Sequence, residues 1–133
     1  MRTLAELQER LKTYGEAEYV FLPNLGHIAW HYSTGENIEL LFIQAVIGYG
    51  PIMLIRMADV LLKRNEAPYH SVFAFRLGSN DVANKFYERL GWHQQNLGQS
   101  IYRGDEAVIM WITWPDFLAS VEPYRKYDKG AKE

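Results

Sequence analysis

The segment Gly48-Tyr49-Gly50 joins a long apolar run to a helix-like stretch that begins at Pro51. Glycine lets a ligand approach the backbone closely, and a helix N-terminus offers unpaired N–H groups with a partial positive charge. The junction therefore has the chemistry of an anion site, for example for a phosphate group. A tight strand-to-helix turn that holds no ligand has the same sequence, so both interpretations stay open.

A few side chains could accept or hold a proton. Glu39 is the only carboxylate inside the predicted central strands, although it could also face solvent, and His31 lies on a neighbouring strand. His27 and His31 would be about 13 Å apart along one strand face, which is too far for a shared metal ion. Because the chain has no cysteine, covalent thiol catalysis and thiolate metal sites are excluded. We therefore expect no metal.

The first half of the chain predicts one helix and three strands. Thr3 and Glu6 have the spacing of a capping box, and an apolar stripe continues the helix from Leu4 to Tyr14. The predicted strands are Glu18 to Leu22, His27 to Tyr32 and Ile38 to Val46. The last of these is apolar almost without a break, which indicates a central strand that is covered on both faces.

The second half predicts a parallel crossover followed by an antiparallel pair. A largely apolar helix from Pro51 to Arg64 leads to a strand from Ser71 to Leu77, and such a connection is almost always right-handed. Two further strands flank a turn at residues 103–105, and a short helical turn closes the fold. These three segments are His93 to Tyr102, Ala107 to Thr113 and Pro115 to Val121.

Length and composition limit the class of protein. A chain of 133 residues, 48% of them hydrophobic, predicts one folded domain, at 1–123, with a polar and mobile tail at 124–133. A net charge of −2 gives no surface for nucleic acid, and no apolar run is long enough to span a membrane. The missing cysteine and signal peptide agree with a cytoplasmic location.

The most informative stretch is the predicted helix between Ser79 and Trp92. Asn80 can cap its N-terminus, apolar residues recur at the helical period, and Gly91 can end it. The pattern consists of Asn80, Ala83, Phe86, Tyr87, Gly91 and Trp92. It resembles the second signature of the GNAT family of N-acetyltransferases, in which phenylalanine is commoner at the last position. The order of the predicted elements resembles that fold over nearly the whole chain.

The resemblance implies an α+β fold with a mixed sheet, in which antiparallel strands precede the parallel β-α-β crossover, the signature helix and the C-terminal strand pair. It also implies acetyl-CoA as the acyl donor, an amine as the acceptor, Tyr87 as the proton donor to the departing thiolate, and Glu39, or alternatively His31, as the general base. A backbone N–H near Val46 or Ile47 would stabilise the oxyanion. The remaining residues that the resemblance places against coenzyme A are Gly48, Tyr49, Gly50, Ile52, Met53 and Asn80.

Three departures from the family pattern motivate an alternative. The glycine loop is short, the basic residues expected near it are absent, and only one helix precedes the sheet. The alternative is a catalytically silent acetyltransferase fold that is kept for binding or assembly. Trp30, Trp111 and Trp114 lie outside the predicted helices and are expected to be exposed. With an open cleft beside them, they predict a homodimer or a protein partner, to which the strand pair around Ala107 to Trp114 would contribute.

Overall fold

A computed structural model describes residues 3–33, 36–64, 69–99 and 106–128 of the chain. The helices are α1 (Leu4–Leu11), α2 (Gly50–Lys63), α3 (Asp81–Arg89) and α4 (Trp114–Val121), with 3₁₀ helices at Lys12–Tyr14 and Glu122–Tyr127. The strands are β1 (Glu18–Leu22), β2 (Gly26–Tyr32), β3 (Asn37–Ala45), β4 (Ser71–Leu77), β5 (His93–Gln99) and β6 (Glu106–Thr113). The predicted turn at 103–105 and the end of β5 at Tyr102 lie outside the described residues.

The capping signals predicted from the sequence are present in the structure. The Glu6 amide donates to Thr3 Oγ1 at 3.2 Å, and the Thr3 amide donates to Glu6 Oε1 at 3.1 Å. Asn80 Oδ1 accepts from the Ala83 amide at 3.1 Å and starts α3. The first helix is shorter than predicted, because its last turn, Lys12–Tyr14, tightens into a 3₁₀ helix before Gly15 turns the chain at φ +70°.

The six strands form one mixed sheet in the order β1-β2-β3-β4-β6-β5. Strands β3 and β4 are parallel neighbours, as predicted, and α2 connects them. The other adjacent strands are antiparallel, including the C-terminal pair of β5 and β6. The α+β fold and the interior position of β3 are therefore confirmed.

Each face of the sheet has its own apolar cluster. Helices α2, α3 and α4 pack on the larger cluster, which includes Ile38 and Leu40 of β3. On the opposite face, Leu7 and Leu11 of α1 pack with Ala29 of β2, and Leu41 and Phe42 of β3 lie against them. Strand β3 is thus covered on both faces, which explains its nearly unbroken apolar sequence.

The prediction of exposed tryptophans is wrong for two of the three residues. Trp30 is fully buried and Trp114 is 9% exposed, both within the larger cluster, and only Trp111 is half-buried. Trp30 lies in the cluster on which α2 packs, and Trp114 begins α4, where its ring contacts Tyr69 and Phe117. Burial of such large apolar side chains stabilises the fold. These three tryptophans therefore do not form an exposed cluster, and they give no support for a protein partner.

The predicted domain boundary at residue 124 also differs from the structure. The 3₁₀ helix Glu122–Tyr127 packs against α2, and the next residue, Asp128, is only 5% exposed. Arg56 of α2 donates to both Asp128 carboxylate oxygens, at 2.8 and 2.9 Å. A buried carboxylate needs such a partner, so the fold continues at least to Asp128. Residues 129–133 of the predicted tail lie outside the described residues.

None of the helices in the described ranges has both the length and the apolar character that crossing a bilayer requires.

Candidate active site

A cleft of about 460 Å³ opens between the two parallel strands. Strands β3 and β4 pair only from Asn37 to Glu39 and from Ser71 to Phe73, although they continue to Ala45 and Leu77. Beyond the last pair, Glu39 with Phe73, the strands diverge and leave backbone donors and acceptors facing the gap. Such groups need partners, so the cleft suits a long ligand that itself carries amide groups.

A β-bulge in β3 adds to this divergence. Ala29 pairs with Phe42 while the next residue of β2, Trp30, pairs with Leu40, so Leu41 is an extra residue with no opposite on β2. The extra residue of a bulge falls out of the ladder and bends its strand. Leu41 lines the cleft beside its closed end, and the bulge was not predicted from the sequence.

The N-terminus of α2 lies at the open end of the cleft and offers fewer donors than predicted. The Met53 amide donates to the Tyr49 carbonyl at 3.1 Å, and the Tyr49 amide donates to the Val46 carbonyl at 2.9 Å. Both amides are therefore already used inside the protein. Since Pro51 has no N–H, the donors left in the first turn of the helix and the loop before it are those of Ile47, Gly48, Gly50 and Ile52.

The two glycines of the loop have different structural roles. Gly48 has φ +84°, a backbone conformation that favours glycine. Gly50 packs against α3, because a Cβ at this position would stand only 2.7 Å from Cε1 of Phe86. The Gly-x-Gly pattern therefore shapes the loop and the contact between α2 and α3. Of the two glycines, only Gly50 lines the cleft.

Tyr87 forms part of the cleft wall. Its ring packs between Phe86 and Trp92, with centroid distances of 5.1 and 4.8 Å, and the residue is only 5% exposed. Burial raises the pKa of the Tyr87 hydroxyl above its usual value, because the phenolate form is poorly solvated there. No hydrogen bond joins this hydroxyl to any described residue. A neutral phenol beside a cleft can donate a proton to a ligand.

The two candidates for the general base form a pair. His31 Nε2 lies 2.7 Å from Glu39 Oε1, and their side chains are 27% and 24% exposed. Both side chains lie on the sheet face that carries α1, at the level of the closed end of the cleft. Neither of them lines the cleft itself. His27 is buried between the rings of Phe21 and Phe42. Across the described residues, no three His, Asp or Glu side chains come together as metal ligands would.

The remaining predicted residues, Val46, Ile47 and Asn80, follow the ends of β3 and β4 at the open end of the cleft. Asn80 lines the cleft, and its side chain also caps α3. The predicted oxyanion position is wrong for Val46, whose amide donates to the Leu25 carbonyl at 2.9 Å. Ile47 is fully exposed in the turn beyond β3. Both lie at the open end, whereas the bulge at Leu41 places backbone groups next to the closed end.

Comparison with solved structures identifies the architecture. A GNAT-family protein from Desulfovibrio desulfuricans superposes with a TM-score of 0.63 at 21% identity, over 80% of this chain and 75% of that one. A Bacillus subtilis acetyltransferase in complex with CoA gives a TM-score of 0.61 at 12% identity, over 85% and 94% of the two chains. The fold is that of the GNAT acetyltransferases.

A third GNAT-fold structure extends the comparison. A protein from Bacillus anthracis, described as a streptothricin acetyltransferase and solved with acetyl coenzyme A, gives a TM-score of 0.58 at 16% identity. The chain covers 59% of that protein's length, and 71% of the chain is matched. No protein-family model and no curated protein matches the sequence.

Within the GNAT fold, the structure brings together only part of the predicted site. Gly50, Asn80 and Tyr87 share one cleft, and Glu39 lies at its closed end on the face that carries α1. Leu41 and Phe86 also line the cleft wall, and neither was predicted there from the sequence. The position of Phe86 could have been predicted, because an aromatic side chain next to Tyr87 on the helix after β4 is expected to face either α2 or the cleft.

Proposed function

We propose that the protein is an N-acyltransferase that transfers an acetyl group from acetyl-CoA to a primary amine. The observation that carries the proposal is the cleft between β3 and β4, which has a helix N-terminus at its open end and Tyr87 in its wall. Helix N-termini hold phosphate groups, so the pyrophosphate of acetyl-CoA would lie near the amides of Gly48, Gly50 and Ile52.

The dimensions of the cleft agree with this orientation. From Ala45 to Leu40, β3 advances about 17 Å, which is similar to the reach of an extended pantetheine arm. The two amides of that arm can pair with the strand edges that β3 and β4 leave open. The thioester would then lie at the closed end, near the bulge at Leu41, where a backbone N–H can donate to its carbonyl oxygen.

The proposed reaction needs no covalent intermediate on the protein. The ammonium group of the acceptor loses a proton to Glu39, and the amine nitrogen attacks the thioester carbon. The C–S bond breaks as the C–N bond is completed and the nitrogen loses its second proton to water. The coenzyme A thiolate takes a proton from Tyr87, which solvent later replaces. The net products are the N-acetyl amine, coenzyme A and one proton.

Calorimetric titration of the full chain with acetyl-CoA and with desulfo-CoA tests the proposal before any acceptor is known. We expect both to bind in the range of affinities that is usual for enzyme substrates. Free pantetheine, which lacks the phosphates, should bind much more weakly because it does not reach α2. If no affinity for coenzyme A is detected, the alternative of a silent fold kept for binding or assembly replaces acyl transfer. A homodimeric state and a cytoplasmic location are separate proposals, which this titration does not test.

A further inference from the structure

A row of five aligned residues crosses the sheet on the face that carries α1. His31 pairs in register with Glu39, Glu39 with Phe73, Phe73 with Trp111, and Trp111 with His93. Because residues in register point to the same side of a sheet, their side chains form one continuous strip. The strip passes directly over the closed end of the cleft, where Glu39 and Phe73 are the last pair between β3 and β4.

Helix α1 covers only the neighbouring part of this face. Its apolar residues pack with Ala29, and Phe21, Leu41 and Phe42 lie against them. The strip begins beyond that cluster, and it remains accessible in the described part of the chain. Phe75, two residues along β4 from Phe73, is 54% exposed, and Trp111 is half-buried. A ligand that approaches this face can therefore reach both the strip and the closed end of the cleft.

The strip combines one acidic end with an aromatic middle. The carboxylate of Glu39 attracts an ammonium group. One of its oxygens lies 2.7 Å from His31 Nε2, which holds the side chain in place. Next to it, the rings of Phe73 and Phe75 meet edge to face at 5.8 Å, and those of Trp111 and His93 lie 5.4 Å apart. Exposed aromatic faces favour contact with another flat ring, and they also attract a cation.

The spacing of the strip sets the shape of the ligand. Neighbouring strands lie about 4.8 Å apart, so an ammonium group at Glu39 and a ring over Phe73 are separated by a spacer of two or three bonds. We infer that the strip is the acceptor site and that it selects primary amines joined by a short spacer to an aromatic ring. The inference rests on the proposed acyl transfer and adds the class of acceptor.

Rates of coenzyme A release, measured at saturating acetyl-CoA, test the selection. Phenethylamine represents the proposed class, and ethanolamine is a control of similar spacer length without a ring. We expect kcat/KM to be at least about tenfold higher for phenethylamine, because only its ring buries apolar area. Phe73→Leu should raise the KM for phenethylamine about three- to tenfold and leave that for ethanolamine unchanged. Glu39→Gln should lower kcat/KM about hundredfold for both amines.

Leu62→Ala, at an exposed position on α2, is the matched control and should change none of these values. Titration with acetyl-CoA on every variant shows separately whether the donor site is intact. If the donor binds but ethanolamine or a lysine peptide is preferred over phenethylamine, the inference is overturned while the proposed function stands.

Direct binding gives a readout that is independent of turnover. In the wild-type chain saturated with desulfo-CoA, phenethylamine should shift the indole N–H resonance of Trp111 and leave that of buried Trp30 in place. An unmoved Trp111 signal would overturn the inference. So would a self-associated state in which a second copy of the chain buries Phe73.

Discussion

At the scale of single residues, Tyr87 is the proposed proton donor to the leaving thiolate. It is buried in the cleft wall, and burial raises the pKa of its hydroxyl above the usual value of about 10. The protonated form, which is the donor, therefore persists over the whole physiological range. We expect Tyr87→Phe to lower kcat by about ten- to a hundredfold, because the ring packing remains and only the donor is lost. The affinity for acetyl-CoA, measured by calorimetry, should stay nearly unchanged.

The same raised pKa has a consequence for stability. As the pH rises above about 10, an unfolded tyrosine ionises before the buried one, so the free energy of unfolding falls. The stabilising contribution of Tyr87 is thus complete below about pH 10 and is lost above it. Urea unfolding measured at pH 8 and at pH 11 should show that the free energy of unfolding falls less in Tyr87→Phe than in the wild type. In Tyr127→Phe, at an exposed position, it should fall as much as in the wild type. Equal losses in all three proteins would contradict this reading of the burial.

At the scale of elements, the segment after α4 supports the loop that precedes α2. Asp128 accepts from Arg56 and, at 3.3 Å, from the hydroxyl of Tyr49, the residue before α2. Asp128→Asn removes the buried charge and one of the two oxygens that accept from Arg56, so we expect the free energy of unfolding to fall by roughly 1–3 kcal/mol. The affinity for acetyl-CoA should fall too, because the side chain that accepts from Tyr49 is no longer held by an ion pair with Arg56.

Asp59→Asn is the matched control for this prediction. Asp59 pairs with Arg125 at 3.0 Å, but both side chains are more than a third exposed. Exposed ion pairs contribute at most about 1 kcal/mol, so this variant should lose little stability and no affinity for acetyl-CoA. If the two variants behave alike in urea unfolding and calorimetry, Asp128 has no special role in holding the loop.

Most elements could be predicted from the sequence because their signals are local. Capping residues, Pro51 near the start of α2 and alternating or continuous apolar runs depend on a few adjacent residues. These signals placed β1, β2, β3, β4 and β6 to within one residue, whereas the predicted end of β5 lies outside the described residues. The bulge at Leu41 could not be predicted, since Leu40 to Ile43 are all apolar and no alternation marks an extra residue. The ordered structure around Asp128 could not be predicted either, because a long-range contact with Arg56 holds a segment whose own composition is polar.

At the scale of the whole molecule, self-association is a prediction of its own. Strand β5 forms one edge of the sheet, and its Leu97 is 54% exposed, whereas β6 is paired on both sides. An edge strand can pair with its copy across a two-fold axis, which would leave the strip over the cleft free. Sedimentation at micromolar concentration should show a dimer that Leu97→Lys dissociates and that Leu62→Lys, on α2, does not. A wild-type monomer at these concentrations would contradict the prediction.

The three residue pairs between β3 and β4 have a mechanical consequence. Among the described residues, these pairs are the strand pairing that joins two half-sheets, one made of β1 to β3 and the other of β4 to β6. A ligand in the cleft would complete this seam by pairing with both strand edges. The amide protons of residues 40–45 and 74–77 that point into the cleft, and not toward β2 or β6, would then exchange with solvent quickly in the free protein and slowly in the complex. The donor substrate would in this way act as a structural member of the sheet as well as a reactant.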